Sequence, residues 1–265
     1  MLCIIRRALT KNNMKKLIVL IILISSFANA QFYEIDFEVQ PQIRLTAKAY
    51  EAINNHYKDK KDREKAIESI EKIDTLFYKF SYNNELSQSA IIEKIDNSQN
   101  YNDDRIQISP KIGGKSYVNY KEMLFYTEKD FNDKAINVYD SVYKINFVDT
   151  GKTKTILGIE TKEAKGKYKD VDIIAWYAPS IPYNYSPDIY YGTKGLILEL
   201  HYMYILNEAE VLISWISTKK KELKKEPIFK NNKILQTVSL SELTEMYNKN
   251  AENFKEIMNQ GVDKK

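Results

Sequence analysis

Apolar and polar residues alternate with a period of two in segment after segment of this chain, and that period restricts it to a β-rich fold. Tyr33, Ile35, Phe37 and Val39 alternate with Glu34, Asp36 and Glu38. This is the pattern of a strand with one dry and one wet face. The period recurs near 76–83 and 87–95, with Asn83-Asn84 at the turn between them. It returns near 116–127, 134–139, 143–149, 154–165, 171–178, 195–204 and 209–217. Thr150-Gly151 and Gly166-Lys167 read as turns. Strands joined by short turns favour an antiparallel meander. Residues 96–115 read as an Asn-, Asp-, Ser- and Gly-containing loop, and 179–194 as a Pro- and Tyr-rich one.

Two stretches break the period. From Arg44 to about Asp74, Leu45, Ala49, Ala52, Ile53 and His56 share a helical face, as do Ala66, Ile67, Ile70 and Ile73. The charged run Lys58–Lys65 between them leaves open one helix with a solvated middle or two short ones. Near the end, Ser239 and Glu242 have capping-box spacing. Leu243, Tyr247, Ala251, Phe254 and Met258 then form an apolar stripe that Gly261 can end.

The first thirty residues read as a secretory signal. Arg6, Arg7, Lys11, Lys15 and Lys16 precede an apolar run from Leu17 to Phe27, which ends in Ala28-Asn29-Ala30. Cleavage is expected between Ala30 and Gln31, with Met1 or Met14 as the start. The signal holds five of the 40 basic residues and none of the 36 acids. The remaining 235 residues therefore carry 35 bases against 36 acids, which gives no compositional case for nucleic acid. The single cysteine, Cys3, leaves with the signal. A mature chain without thiols forms no disulfide and no cysteine metal site, and lacks a lipid-attachment cysteine. No later segment is apolar enough for a membrane helix, so no transmembrane anchor is expected after cleavage.

Residues 171–200 carry a family resemblance. Trp176-Tyr177-Ala178-Pro179-Ser180-Ile181-Pro182 resembles the W-Y/F-x-P-x-I-P segment of the GLPGLI family of bacterial envelope proteins. Gly192-Thr193-Lys194-Gly195-Leu196-Ile197 is similar to the segment that names the family, with Thr193 and Lys194 in place of Leu and Pro. Lys154-Thr155-Ile156-Leu157-Gly158 looks like its K-K-I-x-G stretch, and Thr161 stands where members often carry a cysteine. The resemblance implies a curved sheet, half-barrel-like, as in periplasmic lipoprotein carriers, and no established activity. With the periodicities, the expected fold is α+β. It comprises an antiparallel meander with a helical insertion at about 44–74 and a C-terminal helix at about 240–260, in one domain over 31–265.

Weighed as sites, the residues give little chemistry. Trp176, Tyr177, Pro179, Ile181 and Pro182 fit a stiff loop facing a partner, or rings tucked into a core; packing is the commoner use of large aromatics. Gly192 and Gly195, leading into Leu196 and Ile197, lack phosphate-loop spacing, and a glycine with positive φ at a turn is the simpler account. Tyr183, Tyr185, Tyr190 and Tyr191 fit a ligand-lined surface or ordinary packing. His201 and Glu199 share a strand face, yet the metal spacings H-x-H and H-E-x-x-H are absent, as is the G-x-S-x-G elbow. The expectation is a periplasmic or secreted protein without catalytic residues, cofactor or metal, acting through an envelope protein partner. The alternative is a carrier of an apolar, lipid-like ligand. An unrecognised hydrolase ranks third, raised by a histidine or carboxylate cluster in a cleft.

Overall fold

The computed structural model describes residues 32–71, 73–92, 115–206, 208–229 and 236–262. The expected signal, its expected cleavage site Ala30–Gln31 and most of the expected 96–115 loop lie outside them. In chain order the elements are β1 (Phe32–Leu45), α1 (Ala47–His56), α2 (Lys60–Glu71), β2 (Leu76–Tyr82), β3 (Leu86–Ile91), β4 (Lys115–Asn119), β5 (Leu124–Phe131) and β6 (Lys134–Ser141). There follow β7 (Tyr143–Lys144), β8 (Val148–Ile156), β9 (Ile159–Tyr168), β10 (Val171–Ala178), β11 (Tyr190–Tyr191), β12 (Leu196–Leu206), β13 (Ala209–Leu223), β14 (Thr237–Ser239) and α3 (Leu240–Val262).

Twelve strands form one curved, open sheet in the order β14-β6-β5-β4-β3-β2-β1-β13-β12-β10-β9-β8. The strand with the clearest alternation, β1, runs through the middle between β2 and β13. Every pairing is antiparallel except β14 with β6, so the expected meander gains one parallel edge. A short parallel pair, β7 with β11, lies apart from it. Tyr33, Ile35, Phe37 and Val39 are buried, as are Tyr78, Phe80 and Tyr82 of β2 and Val211, Ile213 and Trp215 of β13. These side chains share the inner face, which the loop between β10 and β12 covers.

Several boundaries move for physical reasons. The expected strand 116–127 is a hairpin, broken at 120–123 where Met123 takes φ 62°. The expected strand 154–165 also folds back, at Leu157-Gly158. There and at Asn132-Asp133 both loop residues have positive φ, the backbone that suits the twist of a two-residue hairpin. Thr150-Gly151 is no turn but lies in the register shift of β8. Gly166-Lys167 lies inside β9. Gly166 is needed there because a Cβ would stand 2.3 Å from Ile145 Cγ2, in the segment laid over it. Of the expected strand 143–149, residues 145–147 make no ladder.

The insertion is two helices. Arg44 and Leu45 belong to β1, opposite Glu210 and Ala209, and Thr46 caps α1 by accepting from the Ala49 N–H. Asp59 starts α2 by accepting from the Lys61 and Asp62 N–H groups. At α3 the capping box forms: the Glu242 N–H donates to Ser239 Oγ and the Ser239 N–H to Glu242 Oε2. Leu243 is buried against Ile136, Val138 and Val238.

Candidate functional site

The segment singled out in the sequence builds one corner of the sheet. Strand alternation sends Tyr177 to the inner face and Trp176 to the outer one. Tyr177 is buried, and its hydroxyl donates to Asp149 Oδ1 at 2.9 Å. Lys194 Nζ reaches Asp149 Oδ2 at 3.0 Å. These bonds, Lys194 first and Tyr177 second, hold the Asp149 carboxyl below its usual range. Burial and then Asp149 push the Tyr177 hydroxyl up to about 12. Ile181 is buried and closes a turn with its N–H on the Ala178 carbonyl, while its own carbonyl accepts from Leu196. Pro179 and Pro182 flank it, both exposed. Leu196 and Ile197 are fully buried.

The two glycines serve different ends. Gly192 has φ +119°, beside the Ile145 carbonyl, as expected of a turn glycine. Gly195 does not have positive φ, which corrects the expectation. It is required because a Cβ would lie 2.1 Å from the Ala178 carbonyl oxygen.

The tyrosine loop folds inward. Tyr185, Tyr190 and Tyr191 are buried and Tyr183 is half-buried. Tyr185 stacks on Tyr120 with centroids 4.0 Å apart and planes 3° from parallel. Ser89 Oγ donates to the Pro187 carbonyl. Asp188, 1 % exposed, is the polar centre. Its Oδ2 accepts from Tyr202 Oη at 2.6 Å and from Trp215 Nε1 at 2.9 Å. A buried carboxylate is tolerated when such donors replace water. Burial and then the Asp188 charge drive the Tyr202 hydroxyl well above its ordinary range.

On the outer face of the same strands lies a second constellation. Glu199 Oε1 takes Lys154 Nζ at 2.7 Å and His201 Nε2 at 2.7 Å. His201 Nδ1 meets Ser214 Oγ at 2.9 Å. Lys154 Nζ also stands 4.1 Å from the centroid of the half-buried Trp176 ring. Burial raises the Glu199 carboxyl, but hydrogen bonds from His201 and Lys154 outweigh it, and the net direction is down. The ladder explains the meeting. Trp176 pairs with Glu199 and Ile174 with His201, His201 pairs with Ser214, and Ser214 pairs with Gln40 of β1.

The sequence anticipated that Glu199 and His201 share a face. It did not anticipate Lys154, Ser214 or Gln40, whose proximity depends on which strands become neighbours. Nor did it single out Asp188 or Asp149; an aspartate amid Pro and Tyr is the one available signal for the former. Thr161, which stands where members of the resembled GLPGLI family often carry a cysteine, is fully buried and donates to the Lys154 carbonyl. Among the described residues no group of three or more His, Asp or Glu side chains is arranged to hold a metal ion. No described helix is long and apolar enough to cross a membrane.

A family model described as a protein of unknown function, Porph_ging, matches residues 115–199. The search of curated proteins gives no match. Among solved structures, the chain is similar to PNGF-II in its C2 and P21 crystal forms, at 17% and 18% identity with TM-scores of 0.46. The alignments cover 82% of this chain and 32% and 33% of PNGF-II. The chain thus spans about a third of that protein's length, and a likeness at this level carries no functional argument. Residues 115–199 therefore match an uncharacterised family, and the matched segment contains β4 to β11 with the tyrosine loop.

Proposed function

We propose that this chain is an exported protein of the GLPGLI type that acts in the cell envelope through contacts with another protein. One observation carries the reading: the chain's own loop fills the inner face of its sheet. Tyr185, Asp188, Ile189, Tyr190 and Tyr191 are all buried there. A carrier of an apolar ligand needs an open apolar cavity, whereas here the tyrosines that suggested such a ligand are consumed in packing. What the motif leaves in solvent is a rim of Pro179, Ser180, Pro182, Asn184 and Lys194. The anchored Ile181 turn stiffens that rim, so binding there costs little ordering entropy.

The test is a pull-down from envelope extracts with the wild-type chain and a Pro182→Asp/Lys194→Ala variant, alongside lipid extraction of the purified protein. The reading expects a discrete partner that the variant loses while its melting curve is unchanged. Stoichiometric lipid, with partner capture indifferent to the rim, would restore the carrier alternative.

A further inference from the structure

We propose that Ser214, His201 and Glu199 form a hydrolytic array on the outer face of the sheet, acting on small carboxylic esters with an apolar acyl group, and that Gln40 is its oxyanion donor. This goes beyond the partner-contact reading and does not rest on it. It runs against the expectation of a chain without catalytic residues, and the experiment below decides between the two.

The geometry supplies each part. Ser214 Oγ lies 2.9 Å from His201 Nδ1, and the other ring nitrogen lies 2.7 Å from Glu199 Oε1. With Nε2–H donating to Glu199, Nδ1 presents a lone pair to the serine hydroxyl, as a general base must. Glu199 fixes that tautomer and stabilises the imidazolium that forms. Lys154, on the same carboxylate oxygen, helps keep it ionised. Mid-sheet amides are committed to the ladder, so an oxyanion donor has to come from a side chain. Gln40 stands directly opposite Ser214 across β1 and β13, at a separation its amide can span. His201, Glu199 and Lys154 are partly exposed at 32 %, 15 % and 35 %, so a substrate can reach them. Half-buried Trp176, Ile174 and Ile216 border the row and offer apolar surface for the acyl chain.

Ser214 Oγ attacks the ester carbon as its proton passes to His201 Nδ1. The carbonyl π pair moves to oxygen, where Gln40 donates. The C–O bond to the alcohol then breaks, and the leaving alkoxide takes the proton from His201. Water, deprotonated by His201, attacks the acyl-serine and releases the acid, returning the proton to Ser214. Ester and water give acid and alcohol, with no other reactant.

The experiment treats the purified full chain with a fluorophosphonate and locates the adduct by mass spectrometry. In parallel it follows p-nitrophenyl butyrate hydrolysis. A single adduct at Ser214 is expected, with turnover at least about 100-fold above that of Ser214→Ala and of His201→Ala. Gln40→Ala should lower kcat by roughly 100-fold. Glu199→Gln should lower kcat with KM unchanged, a split that loss of a merely structural bond would not produce. A folded wild-type chain without adduct at Ser214 overturns the proposal, as does an adduct without turnover or hydrolysis that survives Ser214→Ala. The labelling of wild type keeps the test decisive even if a variant misfolds.

Discussion

Strands β10, β12 and β13 present two faces with opposite chemistry. Inside, Ala175, Leu200, Tyr202 and Trp215 are nearly or wholly excluded from solvent. The polar centre there, Asp188, accepts from Tyr202 and Trp215 on Oδ2 and from the Ile189 N–H on Oδ1. Outside, one residue along the same strands, Trp176, Glu199, His201 and Ser214 are half-buried, and the last three form a hydrogen-bonded chain. The inner face is bound by packing density and by hydrogen bonds that water cannot replace. The outer face holds charges whose interactions solvent screens. The comparison teaches that close packing and polar pairing are separated here by a single step of the pleat. Substitutions inside should therefore move melting most, and those outside should move it less and in a pH-dependent way.

The largest expected effect is Gly195→Val. The new Cβ would fall 2.1 Å from one Ala178 backbone atom and 2.7 Å from another, and backbone yields less readily than a side-chain tip. A loss on the order of 3 kcal/mol is expected from forced overpacking, seen as a lower urea midpoint. A wild-type midpoint would mean the corner is loose and the inner face less rigid than described.

Asp188→Ala comes next. It strips acceptors from Tyr202 Oη and Trp215 Nε1, but it also relieves the desolvation cost of a buried carboxylate, so a net loss of about 2 kcal/mol is expected. Thermal melting and Trp215 fluorescence would follow the change together. If melting is unchanged, the loop is not fastened through this carboxylate.

Acid titration sharpens the contrast. Glu199 and Asp149 both have carboxyls held below their ordinary range. Such groups stabilise the folded state fully above their unfolded range and lose that contribution as pH falls through the depressed folded value. Melting temperature should therefore fall between about pH 5 and pH 3, and Glu199→Gln should flatten part of that slope. An equal slope in the variant would show that Glu199 carries none of it.

The smallest effect is expected for Lys194→Ala. Its side chain is 76 % exposed in the pair with Asp149, and such surface pairs contribute about 0–1 kcal/mol. A shift beyond that range in chemical denaturation would place Lys194 with the inner face rather than the rim.

Much of the fold was legible because burial on one side of a strand imposes a period of two. The alternation of Tyr33 to Val39 identified β1, and Ser239 with Glu242 marked the start of α3 through a local capping bond. Turn positions were less legible. Gly151 and Gly166 read as turns because glycine suits positive φ, yet Gly166 is a glycine because Ile145 packs on it. The true β8–β9 turn holds Leu157 at φ 51°, a conformation nothing in the side chain of leucine announces. Of the site, the shared face of Glu199 and His201 followed from their spacing of two, but no spacing linked either to Ser214 or Lys154.

The sequence by itself determined a β-rich chain, its helical interruptions, the composition of its first thirty residues and the resemblance carried by residues 171–200. These are local properties, set by side-chain period, caps and composition. Tertiary structure alone decided that β1 lies between β2 and β13, that the tyrosine loop turns inward and seats Asp188 against Tyr202 and Trp215, and that Ser214 meets His201. Those outcomes depend on which strands become neighbours. Strand pairing joins residues far apart in the chain through backbone hydrogen bonds that are the same for every residue type, so no short segment records its partner.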